Sequence, residues 1–188
     1  MKYRLLANIL LKLRWQNMGE KQPSVSRLAH IAALTLFGFL AGPVFGECAP
    51  DAGTGLSLVK GGDEVTSLTL EDLDSLPQQS FQTTTQWTEG TVEFSGPALA
   101  DVLAHLEVSA AETPVRLVAA NRYSVEMPAE IVTESTPIVA TRRNGCPFGV
   151  RDLGPLWVVF PYDSDKKYRT EQIYSLSIWQ LMAIEVEP

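Results

Sequence analysis

Arginines, amides and hydroxyls gather in the second half of this 188-residue chain. Asn121-Arg122-Tyr123-Ser124 closes an apolar run, Arg142-Arg143-Asn144-Gly145 and Arg151-Asp152-Leu153-Gly154-Pro155 follow, and Arg169 stands beyond them. A guanidinium presents a planar fork of donors that matches phosphate or carboxylate, and amides and hydroxyls add donors without charge. The chemistry this pattern offers is recognition of a small anion. Each arginine also has a structural use, because Asp152 beside Arg151 and Glu171 beside Arg169 could hold them in surface ion pairs. The residues alone leave both uses open. Bond-making signatures are absent: there is no G-x-S-x-G, no Gly-rich phosphate loop and no H-E-x-x-H. His105 falls within ALADVLAHL, off the stripe of leucines, and reads as a helix-surface histidine without a catalytic partner. No catalytic residue is assigned. Cys48 and Cys146 form no C-x-x-C pair, so no metal site is expected.

Charge divides unevenly along the chain. Residues 1–46 hold six basic groups and one acid, whereas residues 47–188 hold nine basic and twenty-one acidic groups, a net of −12. A body this acidic repels polyphosphate and anionic lipid, which excludes nucleic acid as a partner. Ile31–Phe45 is fifteen residues without a charge, preceded by Lys21 and Arg27 and followed by Gly46. Basic, apolar and small-residue regions in that order predict a secretory signal peptide cleaved after Gly46, and so a periplasmic protein. A membrane anchor is the competing reading. A span needs about 20 apolar residues, and this run is shorter and broken by Gly38, Gly42 and Pro43. Met18 would give the leader an ordinary length, so translation from Met1 or from Met18 stays open. Export permits Cys48 and Cys146 to pair, and two free thiols are the alternative; two cysteines fix no pattern.

Positioning elements can be read from period and punctuation. Leu56–Lys60, the Gly61-Gly62 turn and Glu64–Leu68 predict a hairpin, and Thr69 with Asp72 predicts a capped short helix over TLEDLDSL. Phe81–Trp87, Glu89-Gly90 and Thr91–Phe94 predict a second hairpin. Pro97 opens a helix with Leu99, Val102, Leu103 and Leu106 on one face. Strands are expected at Val115–Ala120, Tyr123–Met127, Ile138–Thr141, Leu156–Phe160 and Gln180–Val186, with a short helix over Ala129–Glu134 and a turn at Arg143-Asn144-Gly145. Irregular alternation with tight turns predicts one α+β domain with mixed or antiparallel sheets and short helices. Residues 1–46 form the leader and its extension, 47–55 a flexible lead-in, and 56–188 the domain.

The runs LTLEDLDSLP, TTTQWTEGTVEFSGPALADVL, VRLVAANRYSVEMPAE, PIVATRRNGCPFGVRDLGPLWVVFPYD and SIWQLMAIEV resemble small exported proteins of the sulfite-oxidase-like, molybdopterin-binding domain family. The similarity covers residues 56–187 and is carried by Gly145-x-Pro147, Arg151 with Gly154-Pro155-Leu156, and Ile178-Trp179-x-Leu181. It implies a sulfite-oxidase-like fold and molybdopterin as cofactor. In larger relatives one cysteine thiolate ligates molybdenum, and aligning Tyr123-Ser124-x-x-x-Pro128 puts Ala119 at that position. A methyl group cannot ligate a soft metal. Under the resemblance, the pterin and its phosphate would meet Asn121, Arg122, Ser124, Arg143 and Arg151, in a pocket onto which Ala119 opens and which Asn121, Arg122 and Arg151 rim. Trp157 and Tyr123 could wall a planar ligand, or fill the core as aromatics commonly do.

Two functions are therefore expected as alternatives. One is a periplasmic molybdopterin-binding-domain protein of the oxidoreductase type, without a thiolate-ligated molybdenum. The other keeps the fold as a non-catalytic module that binds a small anion, senses, or serves a membrane or signalling protein partner.

Overall fold

The computed structural model describes Cys48 and residues 55–108 and 113–187. The expected leader, its cleavage after Gly46 and nearly all of the 47–55 lead-in lie outside these residues.

Alternating apolar side chains make the central sheet. Strands β1 (Gly55–Lys60) and β2 (Asp63–Thr69) form the first hairpin, and Leu56, Leu58 and Leu68 face inward from it. Thr69 then caps helix α1 (Leu70–Ser75). Its hydroxyl accepts from the Asp72 amide at 3.1 Å while the Asp72 carboxylate accepts from the Thr69 amide at 2.8 Å. Strands β3 (Gln78–Thr84) and β4 (Thr91–Pro97) form the second hairpin. The expected strand through Trp87 stops three residues early. The Thr85 hydroxyl accepts from the amides of Trp87 and Thr88, both at 3.0 Å, and this local turn replaces the ladder. Pro97 ends β4 instead of opening a helix; α2 (Leu99–Leu103) begins beyond it and tightens into a 3-10 turn at Ala104–Leu106. Its four expected core residues, Leu99, Val102, Leu103 and Leu106, are all buried.

The later strands are β5 (Val115–Ala119), β6 (Ser124–Met127), β7 (Ile138–Ala140), β8 (Arg142–Arg143), β9 (Trp157–Val159) and β10 (Leu181–Val186). The main sheet has the order β2-β1-β10-β5-β6, with β1 and β10 parallel and the remaining pairs antiparallel. β3-β4-β8 and β7-β9 make two smaller antiparallel sheets. The architecture is α+β with mixed sheets and few short helices, as the sequence predicts. One helical expectation is corrected and one helix is added. Ala129–Glu134 is only a 3-10 turn at Ala129–Ile131, because the Thr133 hydroxyl and Thr136 carbonyl close the next residues into a loop. An unexpected helix, α3 (Glu171–Leu176), is capped by Thr170 and buries Ile173 and Leu176. Asn144 and Gly145 both take positive φ in the turn after β8, which closes through hydrogen bonds between Arg143 and Cys146. Cys146 is bonded there to Cys48, so the disulfide form of the two alternatives is the one observed.

Candidate functional site

A cavity of about 340 Å³ opens at the carboxyl end of β5. Four segments build it. Ala119 is the last residue of β5, and Asn121 and Tyr123 come from the turn into β6. Trp87 reaches over from the loop between β3 and β4, while Tyr174 and Ser175 of α3 and the following Ser177, Ile178 and Trp179 complete the lining. Every lining side chain is uncharged.

Main-chain hydrogen bonds fix the floor. The Ala119 amide donates to the Tyr123 carbonyl at 2.8 Å, the Arg122 amide to the Ala119 carbonyl at 2.9 Å, and the Ala120 amide to the Gln180 carbonyl at 2.9 Å. Asn121 Oδ1 accepts from the Tyr123 amide at 2.9 Å, the short side-chain turn that asparagine favours. Gln180 sits at φ 55° and ties the loop before β9 to this corner, its Nε2 donating to the Val150 carbonyl at 3.0 Å and its amide to the Leu153 carbonyl at 3.2 Å.

Aromatic packing sets the walls. Trp87 meets Tyr174 with ring centroids 5.9 Å apart and planes at 84°, and meets the buried Trp157 at 5.6 Å and 72°. Tyr162 backs both, at 6.4 Å from Trp87 and 5.4 Å from Tyr174. Its hydroxyl donates to Ser177 Oγ at 2.6 Å, and Ser177 Oγ donates to the Ile173 carbonyl at 2.7 Å. Burial pushes the Tyr162 phenol well above its ordinary range, because the phenolate would lose its hydration. The loop carrying Trp87 is anchored through Asp163, which accepts from the Thr84 amide at 2.7 Å, from its hydroxyl at 2.9 Å and from the Arg169 guanidinium. These hydrogen bonds, the Thr84 amide first, hold the Asp163 carboxyl below the usual carboxylate range.

The expected binding residues separate. Ala119 and Asn121 line the cavity; Arg122, Ser124, Arg143 and Arg151 do not. Of the three residues expected at its rim, Arg122 projects from an exposed turn position at φ 67° and Arg151 from an exposed 3-10 turn at Val150–Asp152. Ser124 is exposed and opposite Val118 in the β5–β6 ladder. Arg143 is half-buried in β8 with its guanidinium 3.8 Å from Asp152. Arg169 braces Asp163 and the Tyr162 carbonyl, and Arg142 bonds Asp74 of α1. Trp157 belongs to the core behind the wall and donates from Nε1 to the Ser177 carbonyl at 3.2 Å, whereas Tyr123 does face the cavity. Sequence reasoning missed Trp87, Tyr174, Ser175, Ser177, Ile178 and Trp179 as site residues. Trp87, Ser177, Ile178 and Trp179 fall in the runs that carry the family resemblance, a signal that could have singled them out.

Comparison with solved structures places the fold. It is similar to that of the sulfane dehydrogenase SoxCD from Paracoccus pantotrophus. The TM-score is 0.53 at 17% identity, over 71% of this chain and 38% of that one. The chain thus spans well under half the length of that relative, and the likeness is one of fold. No family model and no curated protein matches the sequence.

Proposed function

We propose that this chain is an exported, periplasmic ligand-binding module on a sulfite-oxidase-like, molybdopterin-binding fold, working without a thiolate-held molybdenum. The observation that carries the reading is Ala119, 4% exposed and lining the cavity at the end of β5. The sequence resemblance puts the ligating cysteine of larger relatives at this position. A thiolate has lone pairs for a soft metal and a methyl group has none. Cys146 does not replace it, because its sulfur is bonded to Cys48 at the turn after β8. Among the described residues, no group of three or more His, Cys, Asp or Glu side chains is gathered to hold a metal ion. These residues do not fit a thiolate-ligated molybdenum.

A pterin held without that bond is the second reading, favoured by Arg122 and Arg151. Both are exposed, and neither forms an ion pair among the described residues, so both are open to a pterin phosphate or another small anion. The fold likeness to SoxCD supports kinship with oxidoreductases; the uncharged cavity supports binding over turnover. A membrane or signalling protein is the proposed partner class for such a module. Metal and pterin analysis of protein purified from native periplasm tests the proposal. The expected result is a folded protein whose intact mass starts near Glu47 and which lacks molybdenum. Near-equimolar molybdenum would overturn it.

A further inference from the structure

We infer that the cavity at the end of β5 takes a small organic cation, a methylated ammonium group held by aromatic faces instead of by an ion pair. The inference rests on the reading of this cavity as the ligand site and names the class of ligand.

Wall geometry selects among ligand shapes. A flat heterocycle is held best between parallel rings, whereas Trp87 and Tyr174 stand at 84° with centroids 5.9 Å apart. They are two adjacent sides of a box. Tyr123 and Trp179 also line it, which makes four of the nine lining residues aromatic. A compact tetrahedral ammonium presents the same positive surface in every direction and meets perpendicular ring faces equally well. The negative face of an indole or phenol attracts such a cation, most strongly where water is excluded. The box is also built before any ligand arrives. Trp157 and Tyr162 pack behind Trp87, and Tyr162 behind Tyr174, so little side-chain freedom is left to lose on binding.

Charge selects the same way. An anion inside would give up its hydration with no cationic side chain in the lining to replace it. Residues 47–188 carry a net of −12, a field that concentrates cations near the surface. Glu171 lies three and four residues before Tyr174 and Ser175 in α3, on the helix face that carries both. Neutral Ser175 and Asn121 leave room for a polar tail on the ligand. A volume of about 340 Å³ restricts that ligand to metabolite size.

Choline and its uncharged isostere 3,3-dimethylbutan-1-ol differ at the nitrogen alone, and titration of the purified full chain with each, followed by tryptophan fluorescence and calorimetry, isolates the cation effect. Choline is expected to bind saturably and about five- to thirtyfold more tightly than the isostere. Tyr123→Leu, on an exposed turn, should weaken choline several-fold while circular dichroism and melting temperature stay at wild-type values. Trp87→Leu should abolish binding, but its ring packs on Trp157 and Tyr162, so the Tyr123 variant is the deciding one. Equal affinity for the isostere, or choline binding indifferent to Tyr123→Leu, overturns the inference. Binding of a planar uncharged heterocycle with none of choline overturns it and leaves the ligand-binding reading standing. Molybdenum-loaded protein that binds neither probe overturns both.

Discussion

Ser177 is the hinge of the aromatic wall, and Ser177→Ala should be more damaging than its size suggests. The residue is 2% exposed and Tyr162 only 1%. In the native protein the Tyr162 hydroxyl donates to Ser177 Oγ at 2.6 Å, and Oγ passes its own proton to the Ile173 carbonyl at 2.7 Å. Removing Oγ leaves a buried phenol donor without a partner, which costs about 1–3 kcal/mol. Ser177 also borders the cavity, where an entering water can recover part of the loss, so the expected value is about 1–2 kcal/mol. That corresponds to a melting temperature lower by about 3–8 °C for a domain of this size. Tyr162→Phe removes donor and demand together, leaves the Ser177 bond to Ile173 intact, and should cost about 0.5–1 kcal/mol. The double variant should then cost less than the sum of the two by about 1 kcal/mol. Urea unfolding of the four proteins with the disulfide intact measures each quantity. A Ser177→Ala effect smaller than that of Tyr162→Phe, or strict additivity, would refute the account of the wall as a coupled pair.

Alkaline pH should destabilise the protein through the same residue. Burial raises the Tyr162 phenol above its ordinary value of 10.0, so the unfolded chain ionises first; stability is full below about pH 10 and falls above it by up to about 1.4 kcal/mol per pH unit. Tyr162→Phe should flatten that decline in pH-dependent unfolding, and an unchanged slope would count against it. Cys146→Ser opens a loop spanning a sequence separation of 98 and should lower stability by about 2–5 kcal/mol, while thiol titration of unfolded, unreduced wild type should find no free thiol. Gly96→Ala would put a Cβ 2.0 Å from the Val139 carbonyl oxygen and 2.9 Å from Ala140 Cα, so β4 and β7 must part, at a cost of about 3 kcal/mol; a neutral effect in thermal melts would contradict this close approach.

Features set by neighbouring residues were legible in the sequence. Thr69 and Asp72 are three residues apart and satisfy each other locally, so the start of α1 needs nothing from the rest of the chain. Asn144-Gly145 likewise supplies the positive φ its turn requires. Helix α3 was not legible, because six residues are too few to be stable alone and it forms by burying Ile173 and Leu176. The arginines show the same limit. Arg151–Asp152 and Arg169–Glu171 were the visible ion pairs, yet Asp152 faces Arg143 and Arg169 takes Asp163. On a helical turn, side chains one or two residues apart do not face each other, and the partners that win are those the fold brings opposite. The cavity is the extreme case, since Trp87, Ala119, Tyr174 and Trp179 are spread along the chain and no local pattern announces their meeting.

The frame around Ala119 leaves the choice of side chain at this position free. The residue pairs with Leu181 across β5 and β10, and the bonds that hold this corner run between backbone atoms of Ala119, Ala120, Arg122, Tyr123 and Gln180, joined by the side chains of Asn121 and Gln180. None of them depends on what side chain residue 119 carries. Its methyl lines open volume, so the position can hold a thiolate or a methyl without disturbing the ladder. The walls are less free: Trp87 and Tyr174 are fixed by Trp157, Tyr162 and Ser177, which are themselves core. A change at the floor alters which ligand atom can be bonded, whereas a change in the walls alters the fold. The chemistry of this site is therefore set where substitution is cheapest, and its shape where substitution is most costly.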